Sequence, residues 1–131
     1  MTKKHLNVVS GVDIEEISRF KKLSLIKDKN FLSKIYTKAE LDYCFGRSNA
    51  GAHLAGRFVA KEAVYKALSA LGRAVDLKKI EISSNIAGVP MVKLRDLRLA
   101  GLSVSLSISH CRNWAVAFAL VVYDKPHKKN Q

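Results

Sequence analysis

Apolar and polar positions alternate along several short stretches of this chain and crowd onto most of one long helical face. Leu102–Ser109 alternates apolar residues with serine, and Trp114–Tyr123 is strongly apolar. Together they predict an antiparallel pair joined through His110-Cys111-Arg112-Asn113. Weaker alternation over Lys79–Ser83 and Pro90–Leu94, around the turn Asn85-Ile86-Ala87-Gly88, predicts two further strands. Near the start, residues 5 to 12 read as a short strand ended by Gly11. Asp13, with Glu16 three positions on, resembles a capping box opening a helix through about Leu25. The Lys27-Asp28-Lys29-Asn30 cluster breaks the chain, and Phe31 to Ile35 reads as a short helix. Thr37-Lys38-Ala39-Glu40 is a clearer capping box that starts another helix near Leu41, and Gly46 to Gly51 is loop-like.

The longest helix is predicted from about Ala52 to Leu71. Leu54, Phe58, Tyr65, Leu68 and Leu71 share one side, while alanines and Val59 fill much of the rest. A helix apolar on most sides is expected to be largely buried. Residues 95 to 101 suggest a short helix, and the tail from Lys125 reads as polar, basic and frayed. The fold class is therefore α+β: a single domain over residues 1–124, with a long central helix packed on a small antiparallel sheet, followed by a basic tail over 125–131. No repeat or internal boundary interrupts it.

Composition narrows the picture further. At 131 residues and 48% hydrophobic the chain can bury one core, and 26% charged residues are ordinary for a globular protein. Twenty-three basic against eleven acidic side chains give a formal charge of +12, a field that draws anions of any kind. Cys44 and Cys111 carry no metal-ligand or Cys-x-x-Cys spacing and are expected to be reduced thiols. The start, Met-Thr-Lys-Lys-His, has no apolar stretch behind it, and no apolar run approaches the ~20 residues of a membrane span. These features predict a soluble cytoplasmic protein.

Candidate chemistry comes from two carboxylates in apolar settings, Asp13 and Glu62, and from the late imidazole His110. Such acids cost stability unless a cation, metal or hydrogen-bond partner compensates them. Each also has an ordinary structural reading. Asp13 can cap a helix, Glu62 and Lys66 can form a surface i,i+4 ion pair, and His110 can hydrogen-bond in a turn. His5, His53 and His127 show no metal-ligand spacing. Basic residues are scattered and aromatic interleaving is sparse, so the charge alone supports nucleic-acid binding poorly.

The joint pattern is more specific. Gly-Val-Asp-Ile-x-x-x-x-Arg (Gly11 to Arg19), Gly-Arg-Phe-x-x-Lys-Glu-Ala-x-x-Lys-Ala-Leu (Gly56 to Leu68) and Ser-x-Ser-His (Ser107 to His110) occur in this order. Phe31, Ile35-Tyr36-Thr37-x-x-Glu40-Leu41 and Gly88-Val89-Pro90 add to it. The pattern resembles holo-[acyl-carrier-protein] synthase, the small single-domain class of 4′-phosphopantetheinyl transferases, over roughly residues 7 to 123.

That resemblance implies transfer of the phosphopantetheine arm of coenzyme A to a serine of an acidic acyl carrier protein, releasing 3′,5′-ADP, in fatty acid or polyketide biosynthesis. It implies Asp13 and Glu62 as ligands of Mg²⁺, a hard cation that takes one or two carboxylates plus phosphates and waters. Gly11 would let the strand end turn so that Asp13 faces the long helix. Lys66 would neutralise phosphoryl oxygens, and His110, beside Ser109, would hydrogen-bond the nucleotide phosphates. Arg57 would lie close to the coenzyme, with Gly88 and Pro90 near its adenine. The general base stays open between a metal-bound water and a nearby carboxylate. Arg19, with Lys21 and Lys22, would dock the carrier, and Phe31 would add an apolar contact. A homotrimer is implied, with Val116, Phe118, Leu120 and Val122 serving either a trimer core or the monomer core. The family's glycine-rich loop is reduced here to Ser69-Ala70-Leu71-Gly72-Arg73-Ala74, and Arg47 or Arg73 is the candidate to compensate. A catalytically degenerate module that binds coenzyme A or a carrier is the alternative reading.

Overall fold

A computed structural model describes residues 6–124. The order of elements is β1 (Asn7–Glu16), α1 (Ser18–Lys21), α2 (Lys29–Ile35), α3 (Lys38–Phe45), α4 (Ala50–Ala70), β2 (Ile80–Ser84), β3 (Pro90–Leu94), β4 (Ser103–His110) and β5 (Trp114–Tyr123). Short 3-10 turns at Leu77–Lys79 and Leu97–Leu99 flank the β2–β3 hairpin, the second standing where a short helix is predicted over 95–101. The basic tail 125–131, His127, and the His5 start of the first strand lie outside the described residues.

β1, β5 and β4 form an antiparallel sheet in that order, with Val12 opposite Phe118 and Ser107 opposite the same residue. β2 and β3 form a separate antiparallel pair. Period-2 alternation gives the three-stranded sheet two unlike faces. Ala115, Ala117, Ala119, Val121 and Leu106 turn inward onto α4 and are buried. The alanines let helix and sheet approach closely, and the core gathers there around Leu54, Val59, Ala63 and Leu68. The other face carries Val8, Val12, Ile14, Trp114 and Phe118, all exposed, beside a column of serines on β4.

One predicted element is overturned. No helix runs from Asp13 to about Leu25: β1 continues through Gly11 and Asp13 to Glu16, and only Ser18–Lys21 is helical. The whole of β1 pairs with β5, and this long-range pairing outweighs a local capping signal. Gly11 therefore ends nothing. A Cβ there would stand 2.8 Å from the Ala67 amide nitrogen and nearer still to the Ala63 carbonyl oxygen. It is the point where β1 crosses the backbone of α4.

The other predicted helices are present, α2 and α4 each starting two residues before the predicted Phe31 and Ala52. Thr37 Oγ1 accepts from the Glu40 amide at 3.2 Å, and Glu40 Oε1 accepts from the Thr37 amide at 2.8 Å. Glu40 does more than cap. Its carboxylate is fully buried, meets Lys61 Nζ at 2.7 Å and accepts the Ile82 amide at 2.8 Å. Lys61 also donates to the carbonyls of Leu77 and Ile80, so one ion pair ties α3, α4 and β2 together. α4 ends in a Schellman turn: Gly72 has φ +69°, its N–H donates to Ser69 O and Arg73 N–H donates to Leu68 O. The remaining glycine of the 69–74 loop thus closes the helix. Both cysteines are free thiols, Cys44 being buried and Cys111 exposed. No described helix is long and apolar enough to cross a membrane.

Candidate active site

Strand alternation places Asp13 two residues beyond Gly11 on the same, helix-facing side. Because Gly11 lets β1 lie against α4, Lys66 Nζ reaches across to donate to Asp13 Oδ1 at 3.1 Å and to the Val12 carbonyl at 2.9 Å. The predicted i,i+4 partnership of Lys66 with Glu62 gives way to these two acceptors on β1. The Asp13 side chain is 12% exposed, and its Oδ2 is wholly occluded with no hydrogen-bond partner. A carboxylate oxygen in that condition is costly unless a proton or cation completes it.

Glu62 stands one helical turn before Lys66 and feels the same cluster. Its carboxyl is pushed above the usual range, first by burial and then by the negative charge of Asp13, with Lys66 opposing. Asp13 and Glu62, forty-nine positions apart in the sequence, therefore stand near enough for the charge of one to act on the other. Lys66 neutralises part of their charge.

A third acid, Glu15, joins them without having been singled out. Reading residues 13–25 as a helix scatters positions 13 and 15, whereas a strand sets them on one face. Alternation of Val8, Val12 and Ile14 on the opposite side is the signal that could have found it. Glu15 stands two residues from Asp13 on the same strand face, and its carboxyl is pushed up by burial, by Asp13 and by Glu62, with Arg19 opposing. Its Oε2 accepts from Arg19 Nη1 at 2.6 Å.

A basic pole lies toward the start of α4. Arg57 is buried, its guanidinium 4.2 Å above the Tyr43 ring centroid, while Arg47 sits 3.7 Å from the same ring. Arg57 Nη2 approaches Ser84 Oγ at 3.5 Å, and its buried Nε has no partner. His53 packs edge-on against Tyr43. Its imidazole is held below the usual range by burial and by the positive charges of Arg47 and Arg57. Of these, Tyr43 and His53 carry no distinguishing pattern in the sequence.

Other predicted site residues are more dispersed. Gly88, with φ +82°, and Pro90 shape the exposed β2–β3 turn. His110 ends β4 on the helix-facing side, whereas Ser109 points to the opposite face, across from Val116, so the two do not act from one surface of this chain. Arg19 lies on α1, Lys22 at its C-terminal end, and Phe31 is half exposed on α2. Beside Glu62 opens a cleft of about 590 Å³, lined among others by Tyr65, Asp76, Lys79, Asp96 and Arg98.

Comparison with known proteins shows the family. Residues 10–119 match the 4′-phosphopantetheinyl transferase superfamily, and the chain belongs to that family. It is 45% identical over 112 residues to the holo-[acyl-carrier-protein] synthase of Chlorobaculum parvum, covering 85% of this chain and 95% of the relative. Among solved structures it resembles a holo-(acyl-carrier-protein) synthase from Bacillus anthracis in complex with CoA (3′,5′-ADP). The TM-score is 0.74 and the identity 32%, covering 92% of this chain and all of the other. It also resembles an ACPS–CoA complex from Chronobacterium ammoniagenes, with TM-score 0.76, 27% identity, and 91% and 99% of the two chains covered.

Proposed function

We propose that this protein transfers 4′-phosphopantetheine from coenzyme A to a serine of an apo acyl carrier protein, leaving 3′,5′-ADP. The serine Oγ forms a bond to the phosphorus that carries the pantetheine arm as the anhydride P–O bond to the nucleotide breaks; the serine proton passes to a general base, and 3′,5′-ADP leaves with the bonding electrons on its phosphate oxygen. The convergence of Asp13, Glu62 and Lys66 where β1 crosses α4 carries this reading. Family membership and similarity to CoA-bound relatives support it.

The donor set suits Mg²⁺. Asp13 Oδ2 is a hard oxygen, occluded and unpartnered, and Glu62 adds a second carboxylate. Among the described residues no three His, Cys, Asp or Glu side chains form a ready ligand set. Two carboxylates are nevertheless enough for an ion that completes its shell with waters and phosphates. When bound, the ion supplies Lewis-acid neutralisation of charge on the phosphoryl oxygens. Lys66 adds a fixed positive charge at the same phosphate, and Asp13 holds its ammonium in place. At the basic pole, Arg57 and His110 bind and orient the nucleotide phosphates. The partnerless Nε of Arg57 and the low-set His53 imidazole fit a place built to receive an anion. Gly88 and Pro90 border the adenine, and Ser109 completes the coenzyme contacts from the outer sheet face.

The carrier is acidic in this reading. It meets Arg19, Lys22 and Phe31, and the +12 charge steers the encounter. The protein acts in the cytoplasm, in fatty acid biosynthesis, as a homotrimer. The apolar outer face of β1 and β5, with Val12 55% and Phe118 48% exposed, supports an assembly. That face also offers Ser109 to a site shared between subunits. The transferase unit spans residues 1–124.

Incubation with CoA, Mg²⁺ and an apo carrier, read by intact-protein mass spectrometry, tests the activity. Addition of one phosphopantetheine unit to the carrier is expected. Tight CoA binding with no transfer to any of several carriers refutes it in favour of a binding module.

A further inference from the structure

Three carboxylates, Asp13 and Glu15 on the helix-facing side of β1 and Glu62 on α4, influence one another where the two elements meet, and two side-chain cations answer them. Lys66 is committed to Asp13 and to the Val12 carbonyl. Arg19 holds Glu15 at 2.6 Å, four residues along the chain. The two ends of that second pair differ greatly in exposure: the Arg19 side chain is 64% exposed and the Glu15 side chain 16%. An acidic partner can therefore reach the guanidinium from solvent while the carboxylate stays where it is. Glu15 meanwhile stands two residues from Asp13 on the same face of β1, and the charge of Asp13 helps to push its carboxyl up. Two carboxylates side by side on one strand face repel each other unless a cation stands near them. With Arg19 in place the cluster has one negative charge in excess, and with Arg19 drawn away it has two, the complement of a divalent ion.

We propose that Glu15 is a positioning residue that links carrier docking to the cation site by exchanging its partner. In the free enzyme Arg19 holds Glu15. A docking carrier's carboxylate takes Arg19, and Glu15 is released to the cation beside Asp13. This rests on the reading of Asp13 and Glu62 as cation ligands and Arg19 as a docking residue. Linkage then requires carrier and divalent ion to strengthen each other's binding by the same factor.

The test measures Mn²⁺ affinity by electron paramagnetic resonance for the wild type, Arg19→Ala, Glu15→Gln and the double variant, with thermal melting checking the fold. Without any carrier, Arg19→Ala is expected to tighten Mn²⁺ binding about fivefold or more, and to have little effect when Glu15 is already Gln. Equal tightening in both backgrounds reduces Arg19 to a general charge effect and overturns the proposal. In a second arm the wild type is saturated with an apo carrier whose acceptor serine is alanine, so that no chemistry follows. Mn²⁺ affinity is expected to rise by a similar factor, and Glu15→Gln is expected to bind the carrier without that rise. A carrier that binds the wild type and leaves Mn²⁺ affinity unchanged overturns the exchange alone. A carrier that does not bind overturns the docking role of Arg19, and the carrier-free cycle still decides whether Glu15 serves the cation.

Discussion

Replacing Gly11 by alanine tests the contact on which the site's geometry depends. A Cβ at residue 11 would lie 2.8 Å from the Ala67 amide nitrogen and 3.0 Å from Lys66 Cβ, and closer still to the Ala63 carbonyl oxygen. Ordinary contact begins at 3.4 Å, so β1 and α4 must part by more than 0.6 Å, the difference between 3.4 and 2.8. The obstructing atoms are mostly helix backbone, which cannot swing aside as a side chain would. Overpacking of this kind costs about 1–3 kcal/mol, and the rigid neighbours place Gly11→Ala at the upper end, about 2–3 kcal/mol. With a urea m value of about 1.5–2 kcal/mol/M, the unfolding midpoint falls by about 1–2 M. The same displacement draws Asp13 away from Lys66, so transfer activity measured well below the melting temperature falls as well. Gly56→Ala is the matched control. Gly56 also lies in the long motif, but nothing stands within 4 Å of its Cβ, and it sits within α4. Alanine there is expected to stabilise by about 0.5–1 kcal/mol through helix propensity. Equal stability of Gly11→Ala and the wild type, at one protomer concentration, refutes the close crossing.

Three further expectations follow from other parts of the molecule. Lys61→Met leaves the Glu40 carboxylate buried without its cation, and a loss of about 3–5 kcal/mol in chemical unfolding is expected; a loss below 1 kcal/mol contradicts the central role of that pair. Glu62 has a folded-state pKa above its unfolded value, so the folded chain binds more protons and loses stability as pH rises from the unfolded value through the folded one. Glu62→Gln should be inactive with Mg²⁺ present, and without divalent ions it should melt higher than the wild type at pH 7.5, with the advantage shrinking toward pH 4; a lower melting point at pH 7.5 counts against the reading. Phe118→Asp places a charge on the outer sheet face opposite Val12 and should convert the proposed trimer to monomers in light scattering, whereas an unchanged trimer mass would place the subunit contact elsewhere.

The long helix and the β4–β5 pair were legible because their periodicity is repeated over many residues and agrees with burial. The Thr37–Glu40 box was legible because its signal is local. The N-terminal misreading has the opposite cause. Asp13 and Glu16 satisfy the spacing of a helix start, but β5 offers β1 a partner along its whole length, and no local signal announces that partner. This one error carried two others, the role given to Gly11 and the omission of Glu15. Motif order brought Asp13, Glu62 and Lys66 forward as a group, while the switch of Lys66 from Glu62 to Asp13 needed the strand's position. Tyr43 and His53 stayed hidden because an aromatic and a histidine on amphipathic helices look like ordinary packing. Only the two guanidiniums stacked on one ring set them apart.

The most direct measurement is an anomalous diffraction map of crystals grown with Mn²⁺ and CoA. A single strong peak between the carboxylates of Asp13 and Glu62, in contact with the coenzyme's diphosphate, is the predicted result. CoA bound in full with the manganese elsewhere, or with Asp13 Oδ2 still without a ligand, would contradict the account.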